Sequence, residues 1–252
     1  MRYALLSDVH GNLPALEAVL ADMAGRTGVD ASHHVGDLVG YSPWPNEVVA
    51  ALAGARVTGV AGNYDSTVAL DHDHCGCRSE SPRQEELAHV SFAWTREHVR
   101  ADVKHALASL PFRMDLKPLG GHAPGPVVTL VHATPVNNLV YVTADRSDEF
   151  LTRMAQQATA KPGDVICFGH THVPWHREVQ GVHFVNTGSV GRPKDGDWRA
   201  GYVLLEVEPG RVSVDFVRVG YDVDQAARGV VEAGLPQDFA DFLRSGGRVS
   251  AS

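Results

Sequence analysis

The sequence predicts an α/β fold, on three observations. Short apolar runs alternate with segments of helical periodicity through the N-terminal half. Each of these runs stops at a polar cluster holding glycine and a candidate ligand: Asp8 to Gly11, then Gly36-Asp37, then Gly62-Asn63-Tyr64-Asp65. The composition, 44% hydrophobic and 21% charged over 252 residues, is ordinary for a globular chain with a sizeable core. Strands alternating with helices imply a largely parallel sheet, which binds ligands at the carboxyl ends of its strands.

In order, Arg2–Leu6 reads as a strand and Leu13–Ala24 as a helix capped by Asn12, after a sharp turn at Gly11. Ala31–Val35 is a second strand, Glu47–Leu52 a helix entered through Pro45-Asn46, and Arg56–Val60 a third strand. Residues 66–110 break the pattern with a polar loop, Asp71 to Cys77, and helices over Gln84–His98 and Ala101–Leu110. Strands return at Phe112–Leu116, Val127–His132, Asp164–Phe168, His183–Val185, Tyr202–Val207 and Val212–Val219, with a hairpin connector at Gly120–Pro126. Arg146–Ala158 reads as a helix, and the tail carries two more, Val223–Ala233 and Gln237–Arg244, before a frayed Gly/Ser-rich end. No repeat or dividing linker is visible, so the expectation is one domain over 1–252 with an inserted helical subregion at about 66–110.

The formal net charge of -8 argues against duplex nucleic acid as a partner, because that affinity comes from Lys and Arg neutralising phosphates. It leaves small phosphate substrates open, since bound divalent cations reverse the field locally. No apolar run approaches membrane-spanning length, and Ser7 and Asp8 interrupt the first run too early for a signal peptide. Three cysteines, one far from the other two, do not make a disulfide framework, so the expected location is cytoplasmic.

Asp8 and His10 leave the first strand two residues apart, a spacing that in an extended chain puts a carboxylate and an imidazole on one side, as two ligands of one metal. His170 and His172 repeat that spacing. With Asp37, Asn63 and His132 these make five clusters at predicted strand ends. Singly, Asp8 and Asp37 read as helix caps and Asn63 as a turn residue. The joint set of carboxylate, amide and imidazole, without thiolate, suits Mn or Fe first, with Zn, Co or Ni also compatible.

The order and local spelling of the five clusters resemble the calcineurin-like metallophosphoesterase superfamily, from residue 3 to about residue 200. Gly36–Pro43 and Val185–Pro193 look like its compact bacterial and archaeal phosphodiesterase branch. The resemblance implies two mixed sheets packed as a sandwich and flanked by helices. It implies two divalent metal ions, one held by Asp8, His10 and His172, the other by Asn63, His132 and His170, with Asp37 bridging both. Such ions, about 3.5–4 Å apart, share a hydroxide that attacks phosphorus and clamp the attacking and leaving oxygens. Asp37, Asn63, Tyr64 and His132 are then the residues expected to act on substrate.

The chain departs from the family at Tyr64, where the usual residue is a histidine proposed to protonate the leaving group. A phenol with pKa about 10 is a poorer acid near neutrality, so the expected effect is a reshaped substrate range. His72 or His74 folding over the site is an alternative acid. Cys75-Gly76-Cys77 reads as a polar loop with incidental thiols, a metal-binding loop being its alternative. Arg192 and Lys194 read as a basic surface pair that could contact phosphate, and Asn137, Asn138 and Tyr141 as residues that could line a pocket. The remaining histidines (His33, His34, His89, His98, His105, His122, His176, His183) are assigned to structure or surface.

The favoured function is hydrolysis of a small phosphate diester, nucleotides included among the substrates. The alternatives are a phosphomonoesterase and a non-catalytic scaffold, the use made of this fold by the retromer subunit of the superfamily. A homo-oligomer is left open, and no membrane partner is expected.

Overall fold

The computed structural model describes residues 1–77, 81–117 and 125–248. Two five-stranded mixed sheets lie face to face. The first contains β1 (Arg2–Leu6), β2 (Ala31–His34) and β3 (Thr58–Gly59), connected through α1 (Leu13–Ala24) and α2 (Pro45–Gly54). Three helices follow: α3 (Asn63–Ala69), α4 (Pro82–His98) and α5 (Ala101–Ala108). The second sheet begins with β4 (Arg113–Leu116) and β5 (Val128–Val131), crosses over through α6 (Asp148–Ala158) to β6 (Val165–Phe168), and ends in the hairpin of β7 (Trp175–Val179) and β8 (Val182–Asn186). The chain then returns to the first sheet as β9 (Ala200–Glu208) and β10 (Arg211–Val219) and finishes in α7 (Val223–Glu232) and α8 (Gln237–Ser245).

Strand order is β10-β9-β1-β2-β3 in the first sheet and β4-β5-β6-β8-β7 in the second. The strands β1, β2 and β3 run parallel, as do β5, β6 and β8. Their side-chain alternation explains the sandwich. Tyr3 and Leu5 face the second sheet, whereas Ala4 and Leu6 face the layer of α1 and α2. In the second sheet Val165 and Cys167 face inward and Ile166 and Phe168 pack under α6. Leu5 and Leu6 are fully buried, and each such side chain stabilises the fold by roughly 1.5–3 kcal/mol.

The structure corrects several expected boundaries. The third strand is only Thr58–Gly59, because its neighbours turn at once into ligand loops. The helix Asn63–Ala69 was not expected, since Asn, Asp, Ser and Thr are weak helix formers. Asp65 holds its first turn by accepting from the Gly62 N–H at 2.9 Å. The edge strand Trp175–Val179 was hidden by its polar centre, His176-Arg177-Glu178. Asn12 does cap α1, accepting from the Ala15 N–H. The expected connector at Gly120–Pro126, with His122, falls mostly outside the described residues, as does the end of the tail. No helix among the described residues is long and apolar enough to cross a membrane.

Candidate metal centre

The two sheets present the carboxyl ends of their parallel strands to one another, and the segments that leave those ends carry all seven expected ligands, six in loops and Asn63 at the start of α3. Strand alternation is not what brings Asp8 and His10 together. The strand β1 stops at Leu6, and both residues occupy the left-handed region, at φ 50 and 48°. Asp37, His170 and His172 do the same at φ 54, 66 and 61°. This conformation is uncommon outside glycine, so the surrounding structure must hold it. The Asp8 N–H donates to Gly36 at 2.9 Å and the His10 N–H to Asp37 at 3.0 Å, lacing the loop after β1 to the loop after β2. Glycine is required beside both carboxylates, since a Cβ at Gly62 would overlap Asp37 and one at Gly169 would overlap Asp8.

All seven residues are buried, none more than 4% exposed. They fall into two groups able to hold an ion, Asp8/His10/His172 and Asp37/His132/His170. Asn63 joins the second, its Oδ1 lying 3.0 Å from His132 Nε2. Asp37 Oδ2 sits between the groups, 3.7 Å from His10 Nε2 and 3.4 Å from His132 Nε2.

Outer hydrogen bonds orient the imidazoles. The Nδ1–H of His10 donates to the Val39 carbonyl, that of His132 to Val35 and that of His172 to Arg192, at 3.0, 2.8 and 2.6 Å. Each such bond fixes the tautomer and turns Nε2 inward, the usual support of a metal-ligating histidine. His10 and His172 then face each other Nε2 to Nε2 at 3.2 Å. Burial, above all, lowers His10 to about 3 and His172 well below its usual value, with Lys194 and Arg192 adding to the latter, so both rings are neutral. Two bare lone pairs at that separation repel unless a cation lies between them. Asp8 Oδ1 and His170 Nε2 are also buried without a hydrogen-bond partner. Such groups are costly in a dry interior, and divalent ions would satisfy them. The donor set therefore fits a pair of metal ions.

The charges differ between the groups. Burial alone would lower His132, but the charge and hydrogen bond of Asp37, with help from Asp8, hold it up at about 9. Asp37 correspondingly lies below the usual carboxylate range despite its burial, drawn down mainly by His132. Asp8 is raised by burial. Asp65, at about 7, is raised by burial and by the charge of Asp37; its oxygens accept from Gly62 and from Leu38, tying α3 to the loop after β2. Its position three residues after Gly62 was the sequence signal for that role.

Tyr64 is buried at 1% exposure, with its ring against His10, Tyr41 and Phe92. Its N–H donates to Asp37 Oδ1, its hydroxyl donates to Ser91 at 3.2 Å, and burial raises its pKa well above the ordinary value. His72 and His74 lie exposed on their loop, and His74 Nδ1 accepts from the Gly76 N–H. Cys75 and Cys77 do not stay as thiols: their Cα atoms, 5.3 Å apart, are within bridging range, and the sulfurs are bonded to one another. The Asn63 amide donates to Cys75 O and Cys77 Sγ, so this loop braces a ligand. Of the suggested pocket residues, Asn138 donates to Ala61 O and Tyr141 packs on His170, 4.4 Å between centroids. Arg192 is no simple surface residue. Its guanidinium carbon lies over two rings, 4.0 Å from the centroid of Tyr41 and 3.7 Å from that of Phe242, a contact hidden in the sequence because Phe242 lies in the distant tail.

Comparison with known proteins places this geometry in context. The model of the calcineurin-like phosphoesterase superfamily domain matches residues 1–210. The uncharacterized protein MJ0912 of Methanocaldococcus jannaschii is 28% identical over 261 residues, 95% of this chain and 96% of that protein. The crystal structure of a metallophosphoesterase from Sphaerobacter thermophilus is 31% identical, with TM-score 0.74 over 98% of this chain and all, 100%, of that one. The hypothetical protein PH1004 from Pyrococcus horikoshii shares the fold at TM-score 0.82 and 20% identity, over 98% and 99% of the two chains.

Proposed function

The chain belongs to the calcineurin-like phosphoesterase superfamily, and from that membership we propose that it hydrolyses small phosphate diesters with a pair of divalent metal ions. The observation that carries the reading is Asp37, a single carboxylate whose Oδ2 lies within 3.7 Å of a histidine from each ligand group. Asp8, His10 and His172 would hold one ion, Asn63, His132 and His170 the other, and Asp37 both. Mn and Fe suit this set best, and Zn, Co and Ni are compatible. When bound, such a pair supplies a water of lowered pKa and positive charge against the phosphoryl oxygens.

The protein's own residues do the rest by position. Carbonyl-anchored imidazoles need no reorganisation on binding, and the left-handed ligand loops keep the donors converged. Asp37, Asn63 and His132 border the reacting phosphoryl group. Tyr64 completes the wall beside them with its hydroxyl given to Ser91, so leaving groups that depart as stable anions are favoured. The reading is tested with metal-reconstituted protein on bis(p-nitrophenyl) phosphate and p-nitrophenyl phosphate. Faster turnover of the diester supports it. Faster turnover of the monoester overturns the diester preference, and no turnover with Mn, Fe, Co, Ni or Zn overturns the hydrolase.

A further inference from the structure

Asn63 is held differently from the ligand histidines. His10, His132 and His172 hang on carbonyls of the loops that follow the parallel strands. Asn63 hangs on the bridged Cys75-Gly76-Cys77 segment, its Nδ2 donating to the Cys75 carbonyl and to Cys77 Sγ, both at 3.3 Å. A carbonyl can only accept, so the Cys75 carbonyl decides which end of the carboxamide turns towards the loop. It thereby leaves Oδ1 for the ligand group, 3.0 Å from His132 Nε2. An amide without that neighbour has no reason to present its oxygen and not its nitrogen.

The bridge fixes that carbonyl. Gly76, between the two cysteines, takes φ 73°, a left-handed turn that suits glycine, and the Cys77 N–H donates to Cys75 Sγ at 3.3 Å. Further up the loop the ties are surface contacts, the Asp71–Lys104 ion pair and the Arg96 guanidinium on the His72 carbonyl at 2.9 Å. Such exposed ion pairs hold a segment weakly. The two sulfurs are unequally placed: Cys75 is buried in the core and Cys77 is half-buried, so Cys77 Sγ is the one open to an incoming thiolate. The third cysteine of the chain, Cys167, is buried in the second sheet and burial pushes its thiol up, so it does not compete in exchange.

We infer that Cys75 and Cys77 form a thiol–disulfide switch on the metal centre, in which the closed bridge keeps Asn63 turned towards its ion and reduction by a dithiol loosens that ion selectively. The inference rests on the reading of Asn63 as a ligand. In the reductive step a thiolate of the dithiol bonds to Cys77 Sγ while the bond between Cys77 Sγ and Cys75 Sγ breaks, and Cys75 leaves as a thiolate that takes up a proton. The second sulfur of the dithiol, having lost its proton, then displaces Cys77 from the mixed disulfide, and the Cys77 thiolate is protonated in turn. Two electrons and two protons reach the protein, and the dithiol ends as a cyclic disulfide. The opened segment regains backbone freedom, and the Cys75 carbonyl no longer stands fixed against the Asn63 amide.

The test uses the full-length protein, stripped of metal and titrated with Mn in a calorimeter, first bridged and then after dithiothreitol has been added and removed under argon. Alkylation of the folded reduced protein, read by mass spectrometry, should label Cys75 and Cys77 and spare Cys167. Reduction should weaken one of the two Mn sites roughly 10–100-fold, the scale of a lost outer partner of a ligand, and change the other much less. Asn63→Ala, which removes the ligand outright, should lose that same site in either redox state. Cys75→Ser/Cys77→Ser should bind Mn as the reduced protein does and ignore dithiothreitol; the reduced wild type decides the matter should that variant not fold. Turnover of bis(p-nitrophenyl) phosphate by the reduced protein should fall at limiting Mn and recover at saturating Mn, a recovery that general loss of structure would not give. Cysteines that stay unlabelled after reduction, or two Mn sites of unchanged affinity, would overturn the switch and leave the metal pair standing. A protein that binds no second Mn in either state would overturn the ligand reading of Asn63 and the switch with it.

Discussion

The Asp8/His10/His172 group and the Asp37/Asn63/His132/His170 group use the same kinds of side chain, yet they balance a buried carboxylate differently. In the first, both imidazoles are driven neutral by burial, with Arg192 and, at His172, Lys194 adding to it, so neither ring of the group gives Asp8 a counter-charge, and burial raises Asp8 against the pull of the more distant His132. In the second, Asp37 keeps His132 protonated up to about 9 and is held low in return. The first group depends on an incoming ion for neutrality; the second carries a proton in its place, which an ion must displace. Asp37 joins the two, so it is where they can be broken together.

Asp37→Asn keeps the oxygen that accepts from the Tyr64 N–H but removes the shared charge. It should abolish retention of both ions and lower turnover on the order of 10³-fold or more, the equivalent of about 4 kcal/mol of lost transition-state stabilisation. Metal analysis alongside kinetics checks this, and His172→Ala should by contrast cost the first ion more than the second. A smaller effect separates the groups by pH. Since His132 must lose its proton to become a ligand, affinity at the second group should rise about tenfold per pH unit from neutrality towards pH 9. His10, at about 3, has no proton to lose over that range, so the first group should respond much less. Calorimetric titrations at several pH values, with the protons released counted from buffer dependence, distinguish the two.

The five ligand clusters were legible because each is a short run at a strand end, and the parallel strands that carry them were read from apolar runs such as Tyr3–Leu6 and Val165–Phe168. Asp8 and His10 do lie in one cluster, but a left-handed loop and not strand alternation brings them together, and no local propensity announces φ 50° at an aspartate. What stayed hidden was made by tertiary contact. Ser91 on α4 takes the Tyr64 hydroxyl, and Phe242 on α8 covers Arg192, across 27 and 50 positions of sequence respectively. The strand Trp175–Val179 was masked in the same way, its polar middle tolerated because it lies at a sheet edge.

Two further expectations are smaller. Tyr64→Phe loses one buried hydrogen bond to Ser91 and should cost about 1 kcal/mol of stability with turnover of p-nitrophenyl esters changed only a few-fold. Tyr64→His should raise turnover selectively for esters with poor leaving groups; an identical response of both variants across a graded ester series would remove Tyr64 from the account of substrate range. His34, buried in β2 outside either ligand group, is lowered to about 3 by burial. The folded state therefore binds fewer protons than the unfolded state between about pH 6.5 and 3, and stability falls as pH falls through that window. His34→Leu should flatten this acid limb by one proton's worth, read from urea midpoints of metal-free protein against pH.

Anomalous diffraction from crystals of the manganese-loaded protein addresses the central claim most directly. Two peaks are predicted, one bounded by Asp8, His10 and His172 and the other by Asn63, His132 and His170, with Asp37 between them. A single peak, or ions bound away from these side chains, would contradict it.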